Sequence, residues 1–260
     1  MKESRIYVRR ERPTALAISI ALAVTMLVVY VLTLDALGPD VVESVSAAPR
    51  VTRKIEFAKL EGWCVSLGAW DTADQARAEA ANYTDRGAAG RVQMIDGRWH
   101  ALGAMFDTRR QAGAMAETLT DIPAEVVPLK AEAVRMRITA PDHQIDLIVA
   151  ADGLLRDSAW QLSSIARQLD RSEIQPEAAM TLCALTGSEA KGLREKLQNI
   201  PGAEDNRLCA ALMNALDSLT KALDEVRGSG RTGAALSGLI RLAGIDTFIT
   251  LMDLQASLTQ

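Results

Sequence analysis

The chain has 260 residues, of which 48% are apolar and 24% charged, and its formal net charge is −4. Because nucleic-acid-binding domains usually carry a basic excess, this balance argues against nucleic acid as a partner. The two histidines, His100 and His143, do not have metal-ligand spacing, and three cysteines are too few for a disulfide scaffold. We therefore expect no metal ion and no cofactor. Cys183 and Cys209 could meet between neighbouring helices, but buried free thiols are favoured.

An uncharged segment over residues 14–34 is long enough to cross a membrane. As a helix, its 21 residues would extend for roughly 31 Å, against about 30 Å of hydrocarbon. Basic residues precede it and acidic residues follow it, which predicts a cytoplasmic N-terminus and an extracytoplasmic remainder. The flanking charges are Lys2, Arg5, Arg9, Arg10 and Arg12 before the segment, and Asp35, Asp40 and Glu43 after it. A cleaved signal is less favoured because its apolar region would be shorter.

An internal repeat follows the anchor and its spacer. WCVSLGAW-DTADQARAEAANY begins at Trp63, and WHALGAMFDTRRQAGAMAETL begins at Trp99. Both copies carry Leu-Gly-Ala, then Asp-Thr, then Gln-Ala, at a period of 35 to 36 residues. Shared residues at matching spacing predict two copies of one supersecondary unit.

Each copy has the pattern of a strand, a turn and a helix. We predict helices over 72–86 and 108–120, with Asp71 and Asp107 as N-caps, and a hairpin turn at Asp96-Gly97. Further strands are predicted at 91–95 and 125–129. The resulting β-α-β-β-α-β order is typical of a split βαβ sandwich with two helices on one sheet face and the other face free.

The element order and the two strand-end motifs, Val65-Ser66-Leu67-Gly68-Ala69-Trp70 and Leu102-Gly103-Ala104-Met105-Phe106, resemble the SPOR (sporulation-related) domain over residues 59–130. The resemblance implies a module, without catalytic activity, that binds peptidoglycan glycan strands at division or spore septa from behind a single membrane anchor. This sequence departs from the family at Ser66, where members often have Gln, and at Ala101, where a polar or basic residue is more usual.

A glycan-binding surface is predicted on the free sheet face. Strand alternation and the repeat place Ser66 on one face with Trp99 and Ala101. Arg98 and Trp70 would complete a stacking platform for sugar rings. The site residues predicted from the sequence are therefore Ser66, Trp70, Arg98, Trp99 and Ala101. Packing of Trp70 beneath the following helix remains an alternative, and Trp63 is expected to face the core.

The rest of the chain is predicted to be helical. Apolar 4-3-4-3 seams and Gly/Pro breaks indicate a strand or link at 133–138 and helices at 142–171, 176–199, 203–227 and 231–257. The predicted fold class is α+β: an N-terminal transmembrane helix, a small βαββαβ domain and an all-α antiparallel helical bundle. The last helix, apolar on more than one face, is either the centre of that bundle or a surface for a partner.

The sequence thus divides into a cytoplasmic tail (1–13), a transmembrane helix (14–34), a linker (35–58), a SPOR-like domain (59–130) and a helical bundle domain (131–260). No enzymatic motif is present, so we expect a binding protein rather than an enzyme. The leading hypothesis is a membrane-anchored cell-wall-binding protein that acts in division or sporulation. The alternative is an envelope scaffold or oligomerisation protein, which would engage other envelope proteins or a second copy of the chain through its helical bundle, without glycan binding.

Overall fold

The computed structural model describes residues 49–259. The predicted tail, the predicted anchor and most of the predicted linker lie outside these residues. The elements are β1 (Arg50–Phe57), β2 (Leu60–Trp70), α1 (Ala73–Thr84), β3 (Arg91–Ile95), β4 (Arg98–Phe106), α2 (Arg109–Glu117), β5 (Glu125–Ala131), β6 (Val134–Pro141), α3 (Asp142–Asp170), α4 (Pro176–Gln198), α5 (Arg207–Gly228) and α6 (Gly233–Leu258).

Strands β2 to β5 form an antiparallel sheet in the order β3-β4-β2-β5. Helices α1 and α2 pack on one face of it, so the element order over this stretch agrees with the sequence prediction. The turn between β3 and β4 has positive φ angles of 49° at Asp96 and 82° at Gly97. Those angles suit an Asp-Gly hairpin turn, whose twist matches that of the flanking strands.

The N-caps of α1 and α2 lie one residue later than predicted. Thr72 accepts a hydrogen bond from the backbone N–H of Gln75, and Thr108 accepts one from Gln111, both at 3.3 Å. The caps at Asp71 and Asp107 were therefore predicted wrongly. Thr-x-x-Gln matches the spacing of a capping box, and this shared signal was present in both copies of the repeat.

The predicted fold class is wrong, because the helical region is not a separate bundle and the second sheet face is not free. Helices α3 and α6 pack across that face, and sheet residues share one continuous core with all four C-terminal helices. The rings of Trp160 and Phe248 meet edge to face at 5.3 Å. They lie over Gly62, where an added Cβ would stand 3.1 Å from Phe248 Cζ. The described chain is thus a mixed α/β fold in which the sheet lies between two helical layers.

A second, two-stranded sheet was not expected. Residues 50–57, assigned to a spacer from the sequence, pair antiparallel with β6 along their whole length. The strand prediction near 133–138 corresponds to β6. Ile55, Phe57 and Val134 are buried in the shared core, so this ribbon is anchored on one side against α3.

Helix α6 is apolar around its circumference because it is enclosed by the fold. It contacts α3, α5 and three strands of the larger sheet. At Gly238 an added Cβ would lie 2.8 Å from the carbonyl oxygen of Ala88, and at Gly244 it would lie 3.0 Å from that of Ala159. Within residues 49–259, α6 is the one helix long and apolar enough to cross a membrane, but 67% of its most apolar window is buried. Its hydropathy is explained by a central position between the sheet and the other helices.

Candidate functional site

Two tryptophans lie side by side at one end of the central strand pair. Trp70 at the end of β2 is directly opposite Trp99 at the start of β4, and both are half-buried. Arg98 is exposed beside them and donates a hydrogen bond of 2.7 Å to the carbonyl oxygen of Ala69. Its Nε also lies 3.8 Å from a carboxylate oxygen of Asp71. We call Trp70, Arg98 and Trp99 the tryptophan edge.

The indole of Trp70 packs against the backbone of its own strand at Gly68. Gly68 has a φ of +148°, and an added Cβ there would lie 2.6 Å from Cη2 of Trp70. Only glycine adopts this conformation readily and leaves room for the ring. The ring therefore lies over its own strand and keeps part of its surface exposed, which differs from the alternative in which it is packed beneath the next helix.

Ser66 and Ala101 are both completely buried. The Ser66 hydroxyl donates to the carbonyl oxygen of Gly68 at 2.9 Å and accepts from the backbone N–H of Gly68 at 3.3 Å. Its role is to shape the irregular end of β2, where the register shifts between Ser66 and Ala69. Neither side chain can touch an external glycan in this conformation.

The predicted shared face of Ser66 and Ala101 is also wrong. Ser66 pairs with Leu102, so those two residues share a face, and alternation puts Ala101 on the opposite one. The physical reason is one additional residue in the first copy of the repeat. Four positions separate Trp63 from Leu67, whereas three separate Trp99 from Leu102. Since side chains alternate with a period of two, this difference reverses the faces.

A polar cluster of buried Ser66, buried His100 and exposed Glu125, not predicted from the sequence, joins the strands beneath this end. His100 is 6% exposed. Its Nδ1 lies 3.0 Å from the Ser66 hydroxyl and 3.4 Å from a carboxylate oxygen of Glu125. In a Ser-His-acid triad the serine and the acid contact opposite ring nitrogens. Here both partners contact the same nitrogen and the hydroxyl is shielded from solvent, so the cluster has the geometry of a structural network.

The opposite end of the same strands carries Trp63. Its half-buried ring packs beside the core on the α1/α2 face, in agreement with the sequence prediction. Lys130 Nζ and Arg109 Cζ lie 5.0 and 5.7 Å from its centroid. Such distances are typical of cation–π contacts, so this indole surface already has protein partners.

The remaining candidate reactive groups are buried. Cys64, Cys183 and Cys209 are free thiols inside the protein. Burial raises the pKa of all three, that of Cys183 to about 12, which keeps them protonated and poor nucleophiles. Among residues 49–259, no group of three or more His, Cys, Asp or Glu side chains is placed to hold a metal ion.

Comparison with protein-family models, curated proteins and solved structures gives no match to this chain. The resemblance to the SPOR domain therefore stays a prediction from the quoted residues. Function is therefore inferred from the geometry of the tryptophan edge.

Proposed function

We propose that this protein is a membrane-tethered, extracytoplasmic binding protein that recognises glycan strands of the cell wall through the tryptophan edge. The observation that carries the proposal is that Trp70 on β2 lies directly opposite Trp99 on β4. Arg98 is exposed to solvent at the same strand end. The proposal involves binding alone, without bond cleavage.

The chemistry of the edge suits a sugar strand. Sugar rings present flat C–H faces that pack against aromatic rings, while their hydroxyls accept hydrogen bonds from cationic donors. Indoles combine a large apolar face with a polar N–H group, so they suit ligands of this mixed character. The edge is also preorganised, because Gly68 supports one ring and the Ala69 carbonyl oxygen fixes Arg98. Preorganised side chains lose little conformational entropy on binding.

The resemblance to the SPOR domain implies binding on the open sheet face, which α3 and α6 occupy here. In our proposal the glycan contacts the strand end, and the contact area is correspondingly smaller. We therefore expect weaker binding than a whole sheet face would provide, with the tether raising the local concentration near the wall.

The direct test uses the full-length chain in mild detergent and purified cell wall trimmed of its stem peptides. The wild-type chain should co-sediment with the trimmed wall, and Trp99→Ala should weaken retention by about tenfold, as expected for about 1.4 kcal/mol. Trp63→Ala is the matched control, because it removes a half-buried indole from the same sheet at the other end. Absence of co-sedimentation, or equal losses for the two variants, would contradict the proposal.

The proposed location depends on the charge and hydropathy of residues 14–34. After cell lysis, the chain should fractionate with membranes. In unlysed cells, protease should cut beyond residue 34 while the cytoplasmic membrane is still intact. A fluorescent fusion to the full chain should concentrate at septa if trimmed glycan is the target. Cytoplasmic recovery of the chain would contradict the tether.

The scaffold alternative is favoured by no specific observation. Large apolar side chains that remain exposed are isolated on four different elements within residues 49–259. They are Val51, Met94, Val149 and Leu185. Since interaction sites are usually marked by contiguous apolar patches, these scattered positions do not define one.

A further inference from the structure

The two-stranded ribbon of β1 and β6 has two chemically different faces. One face packs on α3 and buries Ile55, Phe57 and Val134. The other, which we call the outer face, consists of four directly opposed pairs. They are Arg50–Pro141, Thr52–Thr139, Lys54–Arg137 and Glu56–Arg135, and all of these residues except the buried Pro141 are exposed.

Two of these pairs are complementary. The hydroxyls of Thr52 and Thr139 lie 2.8 Å apart, and Arg135 Nε donates to a carboxylate oxygen of Glu56 at 2.8 Å. Matched pairs of this kind stabilise an antiparallel ribbon.

The pair between them brings two positive charges together. Lys54 and Arg137 are directly opposed and both exposed. Like charges in this position destabilise a strand pair. Neither residue forms a salt bridge within the described chain, and exposed Arg50, nearby on the same face, also has none there. The outer face thus carries three uncompensated positive charges on a chain whose net charge is −4.

The one basic residue on the packed face, Arg53, has acidic partners. Arg53 lies 2.8 Å from Asp142 and 2.6 Å from Asp146, both on the first turns of α3. Hydrogen bonds to these two carboxylates raise the pKa of Arg53. On the packed face the basic residue thus has acidic partners, whereas on the outer face Arg135 has one and Arg50, Lys54 and Arg137 have none within the described chain.

We propose that the outer face binds the phosphate headgroups of anionic lipids in the membrane that holds the tether. This inference rests on the proposed function for the tether alone. Only 15 residues separate the end of the apolar segment at Leu34 from Arg50, which limits their separation to about 50 Å. Basic residues are attracted to an anionic membrane surface, and the attraction decays within about 10 Å at ordinary salt. Bound lipid phosphates supply the negative charge that the Lys54–Arg137 pair lacks.

The test places the full-length chain in lipid nanodiscs and follows amide hydrogen exchange across β1 and β6. Discs containing anionic phospholipid should slow exchange in these strands by about tenfold relative to zwitterionic discs. Added salt should remove the difference. Equal exchange in both discs would overturn the inference, whereas failure of the chain to remain with either disc would contradict the tether itself.

Lys54→Glu separates lipid binding from ribbon stability. The substitution creates an opposite-charge pair with Arg137, so exchange in zwitterionic discs should become slower than in the wild type. The additional protection by anionic lipid should disappear. Arg110→Glu with Lys221→Glu changes exposed charges elsewhere and should leave the lipid effect intact. Equal protection by soluble polyphosphate in zwitterionic discs would show a general polyanion site and overturn the assignment to the membrane surface.

Discussion

The two faces of the four-stranded sheet are covered in different ways. Helices α1 and α2 lie on one face. They belong to the same repeat as the strands, and each helix is only a few residues along the chain from the strands before and after it. Helices α3 and α6 cover the other face, and α6 begins more than a hundred residues after β5 ends. We call the face covered by α1 and α2 the local face and the face covered by α3 and α6 the distant face. The covering of the local face follows from the repeat pattern, whereas that of the distant face depends on complementary shapes that no local sequence pattern reveals.

The largest expected effect comes from Phe248→Ala, at the centre of the distant interface. Loss of this buried ring should lower the free energy of unfolding by about 3–5 kcal/mol. Because the core is continuous, amides in β2 and β4 should also lose protection from hydrogen exchange. Val149→Ala, at an exposed position on α3, should change stability by less than about 0.5 kcal/mol. Denaturant unfolding of both variants provides the measurement, and unchanged protection in the strands would indicate that the helices fold independently of the sheet.

A pair of glycine substitutions compares the close contact at the distant face with an open position on a helix of the local face. Gly62→Ala should lower the free energy of unfolding by about 1–3 kcal/mol, because the new Cβ would crowd Phe248, Met105 and Trp160 at 3.1 to 3.3 Å. Gly113→Ala, on α2, meets nothing within 4 Å and should stabilise the protein by about 0.4–1 kcal/mol. Thermal unfolding should therefore shift in opposite directions. Shifts of the same sign would contradict the close contact at Gly62.

The helix caps test the local face. Thr72→Ala and Thr108→Ala should each cost about 1 kcal/mol, because each removes the acceptor for one backbone N–H group. Substituting Asp71 or Asp107 by Ala should cost less than either threonine change. Chemical denaturation of the four variants would decide the matter, and a larger loss at the aspartates would restore them as caps.

The smallest effect is a pH dependence at Asp152 on α3. Burial raises the pKa of its carboxyl group, with partial opposition from Arg156. The folded chain therefore binds this proton more tightly than the unfolded chain, and stability falls as pH rises from about 3.8, the ordinary value, through the raised folded-state pKa. Asp152→Asn should lack this loss and gain stability relative to the wild type across that window. Urea unfolding at several pH values measures this gain, and Asp253→Asn is the control for removing one exposed carboxylate. A stability difference between Asp152→Asn and the wild type that does not vary with pH would refute the prediction.

Part of the candidate site could be proposed from the sequence. Trp70, Arg98 and Trp99, which the structure brings together at one strand end, were proposed because aromatic and basic residues at a strand end are visible without a structure. The prediction misplaced Ser66 and Ala101 because one extra residue before Leu67 reverses the alternation, and a register shift in β2 absorbs it. Matching the two copies by their Leu-Gly-Ala motif concealed that difference. The available signal was the spacing along the sequence, which is four positions from Trp63 to Leu67 but three from Trp99 to Leu102.

By itself, the sequence determined the elements whose causes are local. The repeat, the Asp96-Gly97 turn and the apolar seams of the helices gave the β-α-β-β-α-β order and helix ends close to those observed. The tertiary structure decided what each apolar surface faces. An apolar seam shows that a helix must be buried, but the hydrophobic effect has no direction and does not specify the surface that buries it. That choice depends on close fits such as those at Gly62, Gly238 and Gly244. As a result, the sheet face that was predicted to be open is covered by helices and lies in the centre of the core.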